Sequence, residues 1–469
     1  MVQSGRVSAL AGLLLAVTLL VLLAVSWLSN TAVSLAEAEN DNPPHIIFVV
    51  VDALRADHVS SYGYPRQTTP NLDSQVAEQG VLFTDVTAAS SWTNPSSGAM
   101  LTSHTPSSID TVWSDMERRM PEDEELLAEY LHDAGYKTAG FVSNWWLRAQ
   151  FGYDQGFDVY QNTTGDDARR AFAINDLATK WLDNNINELQ RSGQPLFLFL
   201  YYLDPHTWYE PLPPYDTLYD STYTGTLTAE VYGHGQEVVA GNIVPTERDV
   251  EHLLALYDGE ISYWDFYLGQ IFDYLQIKGL LENSIIVVTS DHGQMFGEHG
   301  KWIHRNSLYE EVVRVPLLFR YPARLASGQV LTTPVHMMDI TPTLLDLVDV
   351  PVPNHMQGQS LLPQMQGGPA PVSRPIFSEM AGETDPNSDA YWIAPRTNLY
   401  SVKQDGWKYI HAQQSPEAEQ LYMVRQSSIY EEENIAAQES EKVNQLFQQL
   451  QDKFAVPTEF LFLPIVETE

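Results

Sequence analysis

Four short runs of apolar residues, rich in β-branched and aromatic side chains, most constrain how this chain can fold. They are His45–Val51, Lys137–Asn144, Pro195–Asp204 and Ser284–Asp291. Runs of this length are typical of strands that are buried on both faces of a parallel sheet. Amphipathic stretches suited to helices lie between them, at Glu124–Ala134 and Asp166–Asn185. This alternation predicts an α/β fold with a mostly parallel sheet and helices on both faces.

Aspartates stand where three of these predicted strands end, at Asp52, Asp204 and Asp291. Ligands of open α/β sheets bind beyond the carboxyl ends of the strands. Turn residues such as Gly and Asn are commoner at strand ends than acids. We therefore expect Asp52 and Asp291 in a functional site. A second metal ion, held by Asp204 and a histidine, stays an open alternative to a single ion.

The segment Ser290–His304 has the composition of a metal-binding loop. Asp291 and His292 are adjacent, and a carboxylate beside an imidazole suits a divalent cation. Tight turns are predicted at Gly293, Gly297 and Gly300. These turns would let His304 fold back over the same site.

A threonine precedes a predicted helix in the segment SSWTNPSSGAMLTS, residues 90–103. Asn94 is a good N-cap and Pro95 suits the first helical position, so Thr93 is expected just ahead of the helix. A helix N-terminus and a bound cation both stabilise an alkoxide, which makes Thr93 a candidate nucleophile for attack on phosphorus or sulfur. Taken alone, however, the pattern favours a threonine that merely neighbours a helix cap.

The charge balance excludes one class of partner. Asp and Glu number 61 against 25 Lys and Arg, which gives a formal net charge of −36. Nucleic acid demands a basic protein face, so we expect no nucleic-acid partner. The chain has no cysteine, so it forms no disulfide.

Residues 1–36 are predicted to be a signal peptide or a signal anchor. The run Ala9–Leu28 carries no charge and is long enough to span a bilayer. Ser34–Ala36 resembles a small-residue cleavage site. Residues 37–44 then form a polar linker. We expect an exported protein that is either anchored to a membrane or periplasmic or extracellular.

The sequence changes character near residue 369, after a Gly- and Pro-rich connection. Leu399–Lys403 and Trp407–His411 alternate like antiparallel strands, and Glu441–Phe454 resembles a closing helix. These patterns predict a catalytic domain over residues 45–368. They also predict a small α+β subdomain with an antiparallel sheet over residues 369–469.

Several motifs together resemble the sulfatase family of the alkaline phosphatase superfamily. In chain order they are Val51–His58, Tyr62–Pro65, Thr69–Asp73, Trp92–Ser96, Leu101–Thr102, Asp204–His206, Ser290–Gly293, Leu308–Pro316, Asp339–Thr343, Trp407–Ile410 and Glu419–Tyr422. Their order is that of the family, and they cover nearly everything after residue 44. The resemblance implies a three-layer alkaline-phosphatase/sulfatase-like fold and an ester hydrolase.

The resemblance also implies roles for individual residues. It implies that Thr93 is the nucleophile, and that one divalent metal ion is held by Asp52, Thr93, Asp291 and His292. It implies that the transferred group is contacted, or the leaving oxygen protonated, by His206 and His304.

Two departures from the family pattern modify this reading. Sulfatases use a formylglycine made from Cys or Ser, with an Arg two residues after the Pro, whereas Thr93 and Ser97 stand at these positions. We therefore expect no formylglycine. Many sulfatases also have a second Asp where this chain has Ala53. The remaining ligands favour manganese or zinc, and calcium or magnesium can also bind them. Both changes resemble phosphate-transferring relatives that use a metal-bound threonine.

Together these features predict an exported hydrolase that cleaves phosphate or phosphonate esters in preference to sulfate esters. Its substrate would be a small-molecule, glycan or lipid-linked ester. One alternative is a membrane-anchored phosphotransferase of the lipoteichoic acid synthase or phosphoethanolamine transferase type. Such enzymes often carry several apolar segments, so the single segment here favours hydrolysis. A second alternative is an inactive binding protein, which the chemically competent residues at every candidate position disfavour.

Overall fold

The computed structural model describes residues 42–111, 119–165, 167–233, 235–369, 372–383, 388, 391–413, 419–424 and 430–456. The predicted export segment, residues 1–36, and most of the predicted linker lie outside this part. Within it, no helix has both the length and the apolar character that a bilayer crossing requires.

The described residues form sixteen strands. They are β1 (His45–Val51), β2 (Val81–Phe83), β3 (Val86–Thr87), β4 (Lys137–Val142), β5 (Val159–Asn162), β6 (Leu196–Tyr202), β7 (Ser284–Ser290), β8 (Met295–Phe296), β9 (Trp302–Ile303), β10 (Leu317–Arg320), β11 (Gln329–Leu331), β12 (Val335–His336), β13 (Ile376–Met380), β14 (Leu399–Gln404), β15 (Trp407–Ala412) and β16 (Glu419–Met423). The main sheet has the order β11–β2–β10–β7–β1–β6–β4–β5. Only β10 runs antiparallel to its neighbours, so the sheet is mostly parallel, as predicted.

Helices cover both faces of this sheet. The α-helices of the described residues are α1 (Pro70–Leu72), α2 (Thr93–Thr102), α3 (Leu127–Asp133), α4 (Ala171–Ser192), α5 (Ala229–Tyr232), α6 (Gln236–Val239), α7 (Glu247–Ile277), α8 (Glu310–Val313), α9 (Ile340–Leu347), α10 (Leu362–Met365) and α11 (Ser440–Phe454). In β1, Ile46 and Phe48 face a hydrophobic layer shared with α2, α3 and α9. Ile47 and Val49 face the opposite layer, shared with α4 and α7. Alternation along the strand thus produces the predicted three-layer α/β fold.

The four predicted strands are confirmed as β1, β4, β6 and β7. β1 has the predicted bounds, whereas the other three end one or two residues earlier than their apolar runs. Apart from Leu203, the residues left over at these ends are polar, and they belong to the loops at the carboxyl edge. The predicted helices are observed with shifted ends, as α3 and α4.

The predicted start of α2 is wrong by two residues. Trp92 is the N-cap, with an extended backbone, and Thr93 is already the first helical residue. Asn94 does not cap the helix, because its Nδ2 donates to the carbonyl of Thr111 at 3.1 Å and its Oδ1 accepts from the Tyr153 hydroxyl. Sequence propensity assigns the Asn94 side chain to the cap, but in the structure this side chain holds α2 to Thr111 and Tyr153.

A small antiparallel sheet, β13–β14–β15–β16, forms the C-terminal part of the fold, as predicted. α11 packs against it through Val443, Phe447 and Leu450. The boundary between residues 368 and 369 remains a prediction.

Buried ion pairs join this sheet to the main domain. Lys408 Nζ in β15 lies 2.8 Å from Glu310 Oε1 in α8 and 2.8 Å from Glu431 Oε1. Lys403 Nζ in β14 lies 2.8 Å from the other Glu310 oxygen. Burial opposes ionisation of Glu310, but the two lysines prevail and lower its pKa to about 2. These ion pairs therefore connect the C-terminal sheet to α8 of the main domain.

We predict that Lys408→Met destabilises the protein by about 3 kcal/mol, because it leaves the buried carboxylate of Glu431 without its lysine and removes one of the two lysines that bind Glu310. Urea unfolding followed by tryptophan fluorescence measures the change. Lys180→Met is the matched control, since it removes a lysine from an exposed pair with Asp176, which is worth only a few tenths of a kcal/mol. Equal unfolding midpoints for the two variants would contradict the role of the buried cluster.

Candidate active site

The candidate site lies at the carboxyl ends of the central strands. β1 and β7 pair in parallel up to their last residues, so the residues that follow, Asp52 and Asp291, emerge side by side. On the other side of β1, β6 contributes Tyr201, and Asn144 follows β4. Parallel pairing thus brings polar side chains from four distant segments to one edge of the sheet.

Two carboxylates and an imidazole form the centre of the site. Asp52 Oδ1 lies 3.5 Å from His292 Nε2, and Asp291 Oδ2 lies 3.4 Å from the same nitrogen. One ligand atom from each of these fully buried residues falls within 4.8 Å of the others. This spacing suits a single divalent cation between them.

The hydrogen bonds of His292 prepare it to bind a cation. Its Nδ1 lies 2.8 Å from the carbonyl oxygen of Gly293, which can only accept, so Nδ1 carries the hydrogen. Nε2 then presents its lone pair to the two carboxylates. Within the described residues, Nε2 and Asp52 Oδ1 are buried without a hydrogen-bond partner. Two orphaned buried ligand atoms that face each other fit a metal ion.

Charge repulsion reinforces this reading. Burial, and after it the charge of Asp291, raises the pKa of Asp52 well above its usual value. A hydrogen bond from Asn144 acts in the opposite direction but is the weaker influence. The carboxylates of Asp52 and Asp291 are buried and have oxygens within 4.8 Å of each other, so they need a positive charge between them or a shared proton.

Thr93 adjoins this cluster through Asn144. Asn144 Nδ2 is 3.3 Å from Thr93 Oγ1 and 2.5 Å from Asp52 Oδ2, so one amide connects the hydroxyl to a carboxylate. Thr93 is buried at the first position of α2, where the helix dipole favours negative charge.

Three donors orient Asp291. The Tyr201 hydroxyl donates to its Oδ2 at 2.7 Å. The backbone N–H groups of Ala53 and His292 donate to its Oδ1 at 3.2 and 2.9 Å. Ala53 adopts a left-handed backbone, with φ of 58°, which is uncommon for a non-glycine residue and turns its N–H towards the carboxylate.

Two further histidines extend the site from His292. The His304 ring centroid is 4.5 Å from that of His292 and 4.9 Å from that of His206. Burial lowers the pKa of His304 well below its usual value, and the adjacent histidines and Arg305 act in the same direction. Gln294 Oε1 lies 2.8 Å from His304 Nδ1 and fixes the ring.

The predicted site residues therefore converge in space. They are Asp52, Thr93, His206, Asp291, His292 and His304. Asp204 lies apart from them, with Oδ1 3.9 Å from Arg170 Nη1, and it joins neither of the metal-suited clusters found among the described residues. No arrangement for a second ion at Asp204 is present in that part of the chain.

Sequence reasoning missed three residues of the site, Asn144, Tyr201 and Gln294. Asn144 had a usable signal, because it ends an apolar run as Asp52 and Asp291 do. Tyr201 had none, since a tyrosine inside a strand is usually a packing residue. Gln294 follows the Asp-His-Gly motif, where nothing in its type distinguishes it from a loop residue.

The fold and site are those of a sulfatase-like ester hydrolase. A profile described as Sulfatase matches residues 44–350, more than half of the chain. A second, described as N-sulphoglucosamine sulphohydrolase, C-terminal, matches residues 297–457. The chain belongs to the sulfatase family.

Relatives and solved structures agree. The chain is 25% identical over 425 residues to an N-acetylglucosamine-6-O-sulfatase of Bacteroides thetaiotaomicron, covering 74% of this chain and 75% of the relative. A structure solved with its substrate D-glucosamine-2-N,6-O-disulfate superposes with a TM-score of 0.72 and 21% identity, covering 88% of this chain and 98% of that one. A phosphonate monoester hydrolase from Silicibacter pomeroyi gives 0.70 and 20%, covering 88% and 96%. These structures confirm the predicted fold.

We predict that Asp291→Asn weakens binding of a divalent cation by about 100-fold, because a charged oxygen ligand is lost. The amide can still accept from the two backbone N–H groups, so the fold should persist. Elemental analysis after dialysis against limiting manganese or zinc measures the effect. Asp183→Asn removes an exposed carboxylate and is the control. Equal metal content in the two variants would refute the placement of the ion.

Proposed function

We propose that this sulfatase-family enzyme hydrolyses phosphate or phosphonate esters in preference to sulfate esters, with Thr93 as the nucleophile. The contact that carries the proposal is the one between Thr93 Oγ1 and Asn144 Nδ2, which also binds Asp52. It holds the hydroxyl at the edge of the carboxylate–imidazole cluster. The chain has no cysteine from which a formylglycine could form.

The residues that would hold the ion are Asp52, Thr93, Asp291 and His292. A divalent cation there would stabilise the deprotonated hydroxyl of Thr93 and the charge of the transferred group. One imidazole and two carboxylates suit manganese or zinc better than calcium or magnesium. Asn144 orients Thr93 Oγ1, and Tyr201 keeps Asp291 in place.

The proposed reaction has two displacements. Thr93 gives its hydroxyl proton to solvent, and its Oγ forms a bond to phosphorus while the bond to the leaving oxygen breaks. The leaving oxygen takes a proton from His206 or His304. Water then attacks the phosphorus of the phosphothreonine, the bond to Thr93 Oγ breaks, and phosphate or phosphonate is released. The threonine oxygen takes a proton back from solvent and the proton that water gives up returns to the histidine, so each turnover consumes one ester and one water.

The state of His304 matches this cycle. Its lowered pKa makes it neutral in the free site near neutral pH. A bound anionic ester raises the proton affinity of adjacent imidazoles, because an opposite charge favours the charged form. Binding of the substrate thus favours protonation of the histidine that later donates this proton to the leaving oxygen.

Sulfate ester hydrolysis is the second candidate. The named relative acts on a sugar sulfate by its description, and one pocket for a tetrahedral anion can accept either ester. A glycan ester is therefore a reasonable substrate class for either chemistry. Export of the enzyme is supported by the apolar run Ala9–Leu28.

We predict that Thr93→Ala lowers kcat by at least about 10³-fold, because no other group replaces the nucleophile. Thr93→Ser, which keeps the hydroxyl, should retain measurable turnover. The assay compares 4-nitrophenyl phosphate, bis(4-nitrophenyl) phosphate, a phenylphosphonate ester and 4-nitrophenyl sulfate, each with manganese, zinc, magnesium or calcium. Circular dichroism checks that both variants are folded.

Preference for a phosphorus ester, lost in Thr93→Ala, would support the proposal. Undiminished activity in Thr93→Ala would refute the nucleophile. If the enzyme prefers the sulfate ester and this activity is lost in Thr93→Ala, the assignment of Thr93 as the nucleophile stands, and the substrate class becomes sulfate esters.

A further inference from the structure

Three potential metal ligands outside the active site meet where the loop that leads to His304, helix α8 and the C-terminal part of the chain come together. They are His299, Glu311 and Glu431, and one ligand atom of each lies within 4.8 Å of the others. The carboxylates of Glu311 and Glu431 are buried, whereas the side chain of His299 is 19% exposed. An ion can therefore enter this cluster from the side of His299.

The spacing of His299 and Glu311 fits two ligands of one ion. His299 Nε2 lies 3.3 Å from Glu311 Oε1. Two ligands of a tetrahedral zinc ion, each about 2.0–2.1 Å from the metal, are also separated by about 3.3 Å. The imidazole is held in place by stacking on Tyr309, with ring centroids 3.9 Å apart and planes 13° apart. Packing has thus already oriented this ligand.

The second oxygen of Glu311 lacks the compensation that a buried charge requires. Oε2 is buried and has no hydrogen-bond partner among the residues that the structure describes. Arg314, one turn further along, donates instead to the carbonyl oxygen of Thr84 at 2.7 Å. A buried carboxylate that faces a single imidazole and no other donor is expensive to keep ionised, and a bound cation removes that cost.

Glu431 can bind a cation in addition to its present partners. Its Oε1 pairs with Lys408 Nζ at 2.8 Å. Its Oε2 accepts only the N–H of Glu310, at 3.1 Å, among the hydrogen bonds of the described residues. Because each carboxylate oxygen has two lone pairs, Oε2 retains one for a metal ion.

The surrounding charges leave an excess that matches a divalent cation. Lys403 and Lys408 are the lysines of this region, and between them they pair with three carboxylates. With the carboxylate of Glu311, four acids share two lysines; they are Asp85, Glu310, Glu311 and Glu431. Burial raises the pKa of Glu431 to about 7, and the charges of Glu310 and Glu311 add to this effect although Lys408 opposes it.

We propose that His299, Glu311 and Glu431 form a structural zinc site, with water completing the coordination of the ion. The ion would join the loop that leads to His304, helix α8 and the C-terminal part of the chain. The site shares no residue with the carboxylate–imidazole cluster around Asp52. It is also independent of the chemistry proposed for Thr93, because none of its ligands takes part in that reaction.

The test counts zinc ions per chain by elemental analysis after equilibrium dialysis against zinc. Its variants are His299→Ala and Glu311→Gln, made both in the wild type and in Asp291→Asn, which weakens the active-site cluster. Each should weaken binding at the proposed site by at least about 100-fold and so remove one zinc per chain from its parent, because a ligand is lost. His132→Ala removes an exposed histidine from α3 and is the matched control.

The stability of the protein supplies a second readout. An ion that binds only the folded state raises its melting temperature. In the Asp291→Asn background, zinc should raise this temperature for the parent and for His132→Ala, but not for Glu311→Gln. Circular dichroism without added zinc checks that the variants are folded.

A zinc-edge anomalous difference map of wild-type crystals locates the ion without any substitution. We expect a peak about 2.0–2.2 Å from His299 Nε2 and from an oxygen of Glu311. No peak between these residues overturns the inference. So does an unchanged zinc content in either His299→Ala or Glu311→Gln. An equal loss of zinc in His132→Ala also overturns it, because the bound ions would then be adventitious ones on surface histidines.

Discussion

The close approach of two buried carboxylates, Asp52 and Asp291, is the constraint on which the site depends. Parallel pairing of β1 and β7 forces these side chains together, and burial removes the water that would screen them. Such a pair is tolerable only with a cation or a proton between its members. The surrounding residues meet this demand. His292 presents a lone pair to both carboxylates, Asn144 donates to the Asp52 oxygen that faces away from His292, and Tyr201 donates to Asp291 Oδ2.

Most of the fold could be predicted from the sequence, because strands buried on both faces leave a strong signal. The apolar runs gave the central strands to within one or two residues, and their terminal aspartates marked the functional edge of the sheet. The short strands β2, β3 and β12 were not predicted. They have only two or three residues each, so pairing with neighbours distant in the chain, rather than local pattern, determines them.

The site was less predictable than the fold. Charged ligands and the histidines stand out by residue type, but Asn144, Tyr201 and Gln294 act through hydrogen bonds whose partners are 85 to 92 residues away in the chain. The start of α2 shows the same limit. Local propensity assigns the cap to Asn94. In the structure the Asn94 side chain forms tertiary hydrogen bonds to Thr111 and Tyr153, and Thr93 is the first residue of the helix.

Asn144 makes hydrogen bonds on two sides, and these connect the carboxylate cluster to the loop that follows β4. While its Nδ2 contacts Thr93 and Asp52, its Oδ1 accepts from the N–H of Trp146 at 2.7 Å and so pins the loop that carries Trp145 and Arg148. One planar amide therefore links the position of that loop to the position of the Thr93 hydroxyl. The residues that follow Arg148 are anchored as well, because Phe151 and Tyr153 are buried and the Tyr153 hydroxyl donates to Asn94, so the exposed Trp145 side chain is the part of this segment that can be exchanged without disturbing Asn144.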